Sequence, residues 1–247
     1  WISNNINEPS KNITYNKLHE EVCKFANVLK KYGVKKGDTI CLYMPMIPEL
    51  TIAMLACARV GAIHSVVFAG FSAKSLSDRI NDAKCSILIT ADGSFRGEKI
   101  IPLKEIADQA TKTTPSIKKC VVVKRVQNKI NFNNEKDVWW HKEMEDVSSD
   151  CNARSMEAED TLFILYTSGS TGKPKGIQHS IAGYMIYAEY SFRNVFQYKQ
   201  NDIYWCTADI GWITGHSYIV YGPLLSGATT IMFEGVPSHP SYSRFWE

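Results

Sequence analysis

The 247 residues carry a formal net charge of +3, with 45% hydrophobic and 21% charged residues, the profile of a globular chain long enough for one large domain or two small ones. So small and scattered a positive balance argues against nucleic acid or a membrane surface as partner, and no apolar run approaches the roughly 18 residues of a membrane span. The polar opening "WISNNINEPSKN" does not read as a signal peptide. The seven cysteines include no C-x-x-C pair and sit mostly inside apolar runs, which predicts buried free thiols in a reducing, cytoplasmic setting, with room for a nuclear or organellar pool. The histidines form no H-x-x-x-H pair, so no metal site is expected.

The predicted elements alternate along the chain. Thr14 suits an N-cap, and Lys17 three residues on means there is no capping box. Residues 15–33 place Leu18, Val22, Phe25 and Leu29 on one helical face and close on lysines and a glycine. "DTICLYM" (38–44), bounded by "KKGD" and Pro45, reads as a strand, and Pro48 opens a mostly apolar helix that ends at Gly61. "IHSVVF" (63–68) is a second strand and "SAKSLSDRINDAK" (72–84) a helix capped by Ser72. "SILITAD" (86–92) is a third strand, "IPLKEIADQATK" (101–112) a helix and "KKCVVVKR" (118–125) a fourth strand. This alternation predicts an α/β fold, a largely parallel sheet covered by helices. Burial on both faces explains why the strand runs are apolar without alternating.

Residues 125–158 break the rhythm. They are polar and rich in Asn, Asp and Glu, and predict a long surface excursion with one helix around "DVWWHKEMED" (137–146), its tryptophans anchoring it to the body. Next come the strand "TLFILY" (161–166), a glycine-rich loop, a helix over 181–196 and the strand "DIYWCTAD" (202–209). A loop and helix through "GWITGHSYIVYGPLLSG" (211–227) lead to a last strand, "ATTIMF" (228–233), and the "SRFWE" end reads as helical.

The stretch "YTSGSTGKPKG" (166–176) concentrates chemistry. Glycines let the backbone approach a ligand, so that N–H groups, hydroxyls and a lysine charge can converge on phosphate oxygens. It is not a Walker A loop. Gly169 and Gly172 are separated by two residues, and Lys173 precedes Pro174, which steers it away from helical geometry. It is not a G-x-G-x-x-G loop either. The residues alone favour a phosphate cradle and leave a plain hairpin between two strands as the alternative.

The same stretch resembles the phosphate-loop signature of the adenylate-forming superfamily: acyl-CoA synthetases, luciferases and peptide-synthetase adenylation domains. "YMPMIPELTIAMLACARVGAIHSVVFAGFS" (43–72) and "DIYWCTADIGWITGHSYIVYGPLLSGATTIMFEGVP" (202–237) closely resemble the AMP-forming acetyl-CoA synthetases, with propionyl-CoA synthetases the nearest alternative. The resemblance spans nearly the whole chain. It implies an acid–thiol ligase that turns acetate and Mg–ATP into acetyl-AMP and pyrophosphate, then passes the acetyl group to CoA and releases AMP. ATP, Mg2+ and CoA are the implied cofactors, acetate the partner substrate, with no nucleic acid or membrane.

By the same resemblance, Thr167, Ser168, Gly169, Ser170, Thr171, Gly172 and Lys173 hold the ATP phosphates, and Thr167, Lys173 and Lys175 act on the reaction itself. Trp212 and Ile213 wall the acetate methyl, and Thr214 lies between the acyl and pantetheine sites. His216 reads as a satisfied loop histidine. CoA falls to Gly70, Arg96, Gly97, Glu98, Lys99, Thr214 and Ser238, the last at a position where relatives can carry Asn. The family's adenine-binding "GEP" segment and "TWWQTE"-type motif are missing, as are its ribose aspartate, hinge and small C-terminal domain. Residues 1–247 are therefore expected to be part of the large N-terminal AMP-binding domain, without its first segment and its remainder, and to be inactive alone. A non-catalytic CoA- or nucleotide-binding module is the alternative of another class.

Overall fold

The computed structural model describes residues 1–167 and 174–246. Helix α1 (Tyr15–Lys31) begins where Thr14 Oγ1 accepts the Lys17 N–H at 3.2 Å, and it buries Val22, Phe25 and Leu29, with Leu18 only half-buried. Strand β1 (Thr39–Tyr43) is followed by α2 (Pro48–Val60), with proline in its first turn, where no donor is lost. Next come β2 (Ile63–Val66), α3 (Ala73–Ala83), capped by Ser72, and β3 (Ile87–Ala91). A small antiparallel hairpin, β4 (Ser94–Arg96) and β5 (Lys99–Ile101), precedes α4 (Leu103–Thr111) and β6 (Lys119–Val123).

The excursion contains β7 (Asp137–Trp139) and α5 (Trp140–Glu143). Strands β8 (Thr161–Thr167) and β9 (Lys175–Ser180) lead to α6 (Ile181–Val195) and β10 (Ile203–Trp205). The chain then turns through α7 (Ile213–Gly215), a π-helical turn (His216–Tyr221) and α8 (Gly222–Leu225) into β11 (Thr229–Ile231).

The main sheet has seven strands in the order β7-β6-β3-β1-β2-β8-β9, and only the β8–β9 pair is antiparallel. Its centre is apolar on both faces: Leu42 lies in register between Val66 and Ile89, and β3 is buried throughout. The chain steps from β1 to β2 on one side and then back past β1 to β3. Right-handed crossovers therefore put α2 on one face and α3 and α4 on the other. Helix α1 packs on α2, and α3 on α4. Strands β10 and β11 pair in parallel as a separate two-stranded sheet. The α/β class and the largely parallel covered sheet are as the sequence predicts.

Three expectations need correction. The helix over 137–146 is a strand first: β7 extends the sheet edge, because Lys104 Nζ, itself 1% exposed, reaches Asp137 Oδ2 at 2.8 Å and Asn131 O at 3.1 Å. The tryptophan pair does anchor the excursion: Trp140 stacks on Phe25 at 3.8 Å within the core, and half-buried Trp139 stacks on Phe132 and packs against the same core. Strand β9 and the β4–β5 hairpin stand where loop was expected. Residues 242–246 form turns, not helix. All seven cysteines are free; six are buried and Cys206 is half-buried.

Candidate functional site

In an open α/β sheet, ligands bind beyond the carboxyl ends of the strands where the connection direction reverses. Here the reversal falls between β1 and β3. A cleft of about 210 Å3 opens at that point, lined by residues 45–46 after β1, 68–70 after β2 and 94–96 after β3, with Asp209 and residues 234–236 closing it. Two residues assigned to CoA by resemblance, Gly70 and Arg96, thus meet in one cleft although 26 positions separate them in sequence. Arg96 is exposed at its rim, opposite Lys99 across the two-residue turn of Gly97 and Glu98. Asn4 clamps that turn, donating to Gly97 O at 3.0 Å and accepting from Gly97 N at 3.2 Å. Glu98, Lys99 and Ser238 are exposed, with Ser238 on the turn closed by His239 N and Val236 O.

The far wall is held by Arg125, which sequence reading did not single out. Its Nε and Nη2 reach Glu234 Oε1 and Oε2 at 2.9 and 2.6 Å, and Nη2 also reaches Glu8 and Ser3. Its guanidinium carbon sits 4.9 Å from the Phe95 ring centre and 5.0 Å from that of Trp1. Burial pushes the Glu234 carboxyl up, and the Arg125 hydrogen bonds and charge oppose this. Burial likewise pushes the Asp209 carboxyl up, against the Gly211 N–H and the Arg96 charge.

Beside this cleft the acyl segment begins. The Asp209 carbonyl accepts the Trp212 N–H at 3.0 Å and its carboxylate accepts Gly211 N–H at 2.7 Å, which starts α7. Trp212 is half exposed, with its ring centre 5.8 Å from Phe68 and 6.1 Å from Phe71; Ile213 and Thr214 are also exposed. Trp212 thus joins an aromatic corner with the cleft-lining Phe68, while the side chains expected to wall an acyl group face outward from the described core.

His216, expected as a satisfied loop histidine, is instead fully buried in the π-helical turn. Its Nδ1 lies 3.2 Å from Trp212 O, but its Nε2 has no partner among the described residues. It stacks on His64, which shares a 2.6 Å hydrogen bond with Tyr221. Burial drives the His216 pKa down to about 4 against its backbone hydrogen bonds, and burial plus His216 drives His64 well below its ordinary value. Unfolded imidazoles take up protons near pH 6.5, so between there and pH 4 the unfolded chain binds more protons and stability rises with pH. The stability is complete above about pH 6.5, and His216 alone accounts for a loss of about 3 kcal/mol by pH 4. Thermal midpoints measured from pH 7 to 4 should fall less steeply in H216F than in the wild type; parallel profiles would refute this.

The remaining candidates sit on the β8–β9 edge of the sheet, at the carboxyl end of β8, which runs parallel to β2. Thr167 and Lys175 are exposed and lie opposite one another at the tips of β8 and β9. Ser168, Gly169, Ser170, Thr171, Gly172 and Lys173 lie outside the described residues. Tyr166, next to Thr167, donates its hydroxyl to Asp82 Oδ2 at 2.6 Å. Among the described residues no cluster of three or more His, Cys, Asp or Glu could hold a metal ion, and no helix is long and apolar enough to cross a membrane. A larger groove of about 480 Å3, lined by Trp1, Tyr15, Leu18, Thr51, Ile219 and Met232 among others, contains none of the predicted site residues.

Fold and cleft together define an α/β protein with an open cleft at its switch point. The sequence profile described as "AMP-binding enzyme" matches residues 4–247, and the chain belongs to that family. An acetyl-coenzyme A synthetase of Bdellovibrio bacteriovorus is 58% identical over 247 residues, covering 100% of this chain and 38% of that protein. Acetyl-coenzyme A synthetase 2 of Pseudomonas aeruginosa gives the same 58%, 100% and 38%. The acetyl-coenzyme A synthetase of Drosophila melanogaster is 54% identical over 261 aligned positions, covering 100% of this chain and 39% of that protein. The solved acetoacetyl-CoA synthetase from Streptomyces lividans superposes with a TM-score of 0.90 over 99% of this chain and 37% of its own, at 24% identity, which shows the fold alone. The chain thus spans well under half the length of the relatives it matches.

Proposed function

We propose that the whole protein carrying this chain is an acetate–CoA ligase, and that these 247 residues form part of its adenylate-forming domain. An acetate oxygen attacks the α-phosphorus of Mg–ATP, giving acetyl-AMP and pyrophosphate. The CoA thiol then attacks the acyl carbon, and AMP leaves. The first step brings an anion onto a polyanion, so fixed donors and cations must offset the charge. That is the role proposed for Thr167, Ser168, Gly169, Ser170, Thr171, Gly172, Lys173 and Lys175. Mg2+ is taken as arriving with ATP, whose phosphates supply ligands. Trp212, Ile213 and Thr214 border the acyl group. Gly70, Arg96, Gly97, Glu98, Lys99 and Ser238 border CoA, Arg96 offering the cation a nucleotide phosphate calls for.

The observation that carries this reading is the 58% identity with proteins named acetyl-coenzyme A synthetase, over an alignment that includes every segment building the switch-point cleft and the acyl segment. Free thiols throughout fit a cytoplasmic location. The test is acid-dependent ATP–pyrophosphate exchange by the whole protein with acetate, propionate and butyrate, followed by thioester formation. Exchange with acetate preferred is expected. A preference for propionate would assign the site to that acid, and tight CoA binding without any exchange would leave only a binding module.

A further inference from the structure

Arg79 takes no part in the steps above, yet it stands between the two ends of the proposed site. It lies on the apolar face of α3 with Leu76 and Ile80 and is 7% exposed. Burying a guanidinium is costly without compensating partners, and a buried charge is weak evidence of a stabilising role. Its Nη1 donates to Ser75 O at 2.8 Å, within its own helix. Among the described residues it forms no salt bridge. Its guanidinium carbon instead lies 4.6 Å from the ring centre of Phe71 and 5.5 Å from that of Tyr166, the separations of cation–π contact.

Those two rings belong to different parts of the site. Phe71 is pinned by Tyr43, whose hydroxyl donates to Phe71 O at 2.7 Å, and its ring meets Trp212 edge to face at 6.1 Å. Tyr166 is the last residue before Thr167, and it lies opposite Gly176 in the β8–β9 ladder. Asp82, three residues after Arg79 on the same helix, takes the Tyr166 hydroxyl. Helix α3 therefore grips Tyr166 three times: by the Arg79 cation on its ring, and by the Asp82 carboxylate and, more weakly at 3.4 Å, the Arg79 carbonyl on its hydroxyl.

We propose that Arg79 is a positioning residue: with Asp82 it fixes Tyr166, and through Phe71 it braces Trp212, so that Thr167 and Lys175 are held at a set distance from the acyl wall. This rests on the ligase reading. Adenylation needs the acid oxygen and the α-phosphorus in near-attack contact, and a displacement of about 1 Å can cost up to about 100-fold. The brace should therefore act on the adenylation step and leave CoA binding alone.

The test compares R79M, R79K and Y166F in the whole protein. R79M keeps an apolar stem without the cation, and should lower kcat/KM for ATP in acetate-dependent exchange on the order of tenfold, the size expected for a desolvated cation–π contact. Its CoA dissociation constant should stay within about twofold of wild type. R79K, which returns a cation to the rings, should recover most of the loss. Y166F creates no cavity and removes only the hydroxyl grip; it should lower kcat/KM for ATP about threefold without moving the thermal midpoint. If R79M does not fold, R79K near wild type with Y166F impaired supports the brace, and Y166F at wild-type rates overturns it. A merely structural Arg79 would lower the midpoint and the active fraction, leave every KM unchanged and gain nothing from R79K; that pattern overturns the proposal. No exchange in the wild-type protein would instead sink the ligase reading, and the brace with it.

Discussion

R125M should lower stability by about 3–5 kcal/mol, because it strands a buried carboxylate. Glu234 is 1% exposed, and the only cation bonded to it among the described residues is Arg125, through both Nε and Nη2. The same guanidinium also ties Glu8 and Ser3 to the body and stacks near Trp1 and Phe95. Burial already holds the Glu234 carboxyl above its ordinary pKa, and removing Arg125 lets it rise further. An acid whose folded pKa is raised carries its full penalty above that pKa and sheds it as pH falls toward the unfolded value. The R125M deficit in urea denaturation should therefore be largest at neutral pH and shrink on acidification. R125M/E234Q, which leaves only the more exposed Glu8 carboxylate without its cation, should regain more than half of it. Because residues 234–236 wall the cleft, CoA affinity of the whole protein should fall on the order of tenfold, measured by calorimetry. A deficit that is flat with pH, or unrelieved by E234Q, would show that the pair is not what holds this wall.

How much of this was legible in sequence depended on how local the physics is. Helices α1 to α4 and strands β1, β2, β3 and β6 read correctly because caps, prolines and apolar periods are written within each segment. Strand β9, "KGIQHS", is mostly exposed and shows no alternation; only pairing with β8 makes it a strand. In "DVWWHKEMED" helical propensity is real, but the Lys104–Asp137 pair draws its first three residues to the sheet edge. The candidate site divides similarly. Gly70 and Arg96 could be joined to one ligand only through resemblance, and the fold supplies their common cleft. Arg125 and Glu234 are 109 positions apart, and Tyr166 and Asp82 are 84 apart, so no local pattern links them. Arg79 did leave a trace: a cation on the face of α3 that buries Leu76 and Ile80.

Placing alanine at Gly215 should be the most disruptive small change in the acyl segment. A Cβ there would sit 2.2 Å from Asp209 O, with Asp209 C and Ile210 Cα both at 2.5 Å. These are backbone atoms that no rotamer change can move aside. The backbone of Gly215 itself is ordinary helix, φ −67 and ψ −41, so alanine would otherwise be the better helix former by about 1 kcal/mol. Any loss must come from the clash. The atom struck first, Asp209 O, accepts the Trp212 N–H, so relief of the clash means losing the bond that starts α7 and shifting Trp212. A cost of about 3 kcal/mol is expected for overpacking of this kind, seen as a lowered denaturation midpoint. Acetate KM in the whole protein should rise with it, because the shifted residue borders the proposed acyl position. Gly227 is the matched contrast. Its φ is +70 and nothing lies within 4 Å of an added Cβ, so G227A meets backbone strain alone, about 1 kcal/mol, and should leave acetate KM unchanged. If the two variants were equally mild, the 209–210 backbone would have to yield freely, and the close approach at Gly215 could not be what seats Trp212.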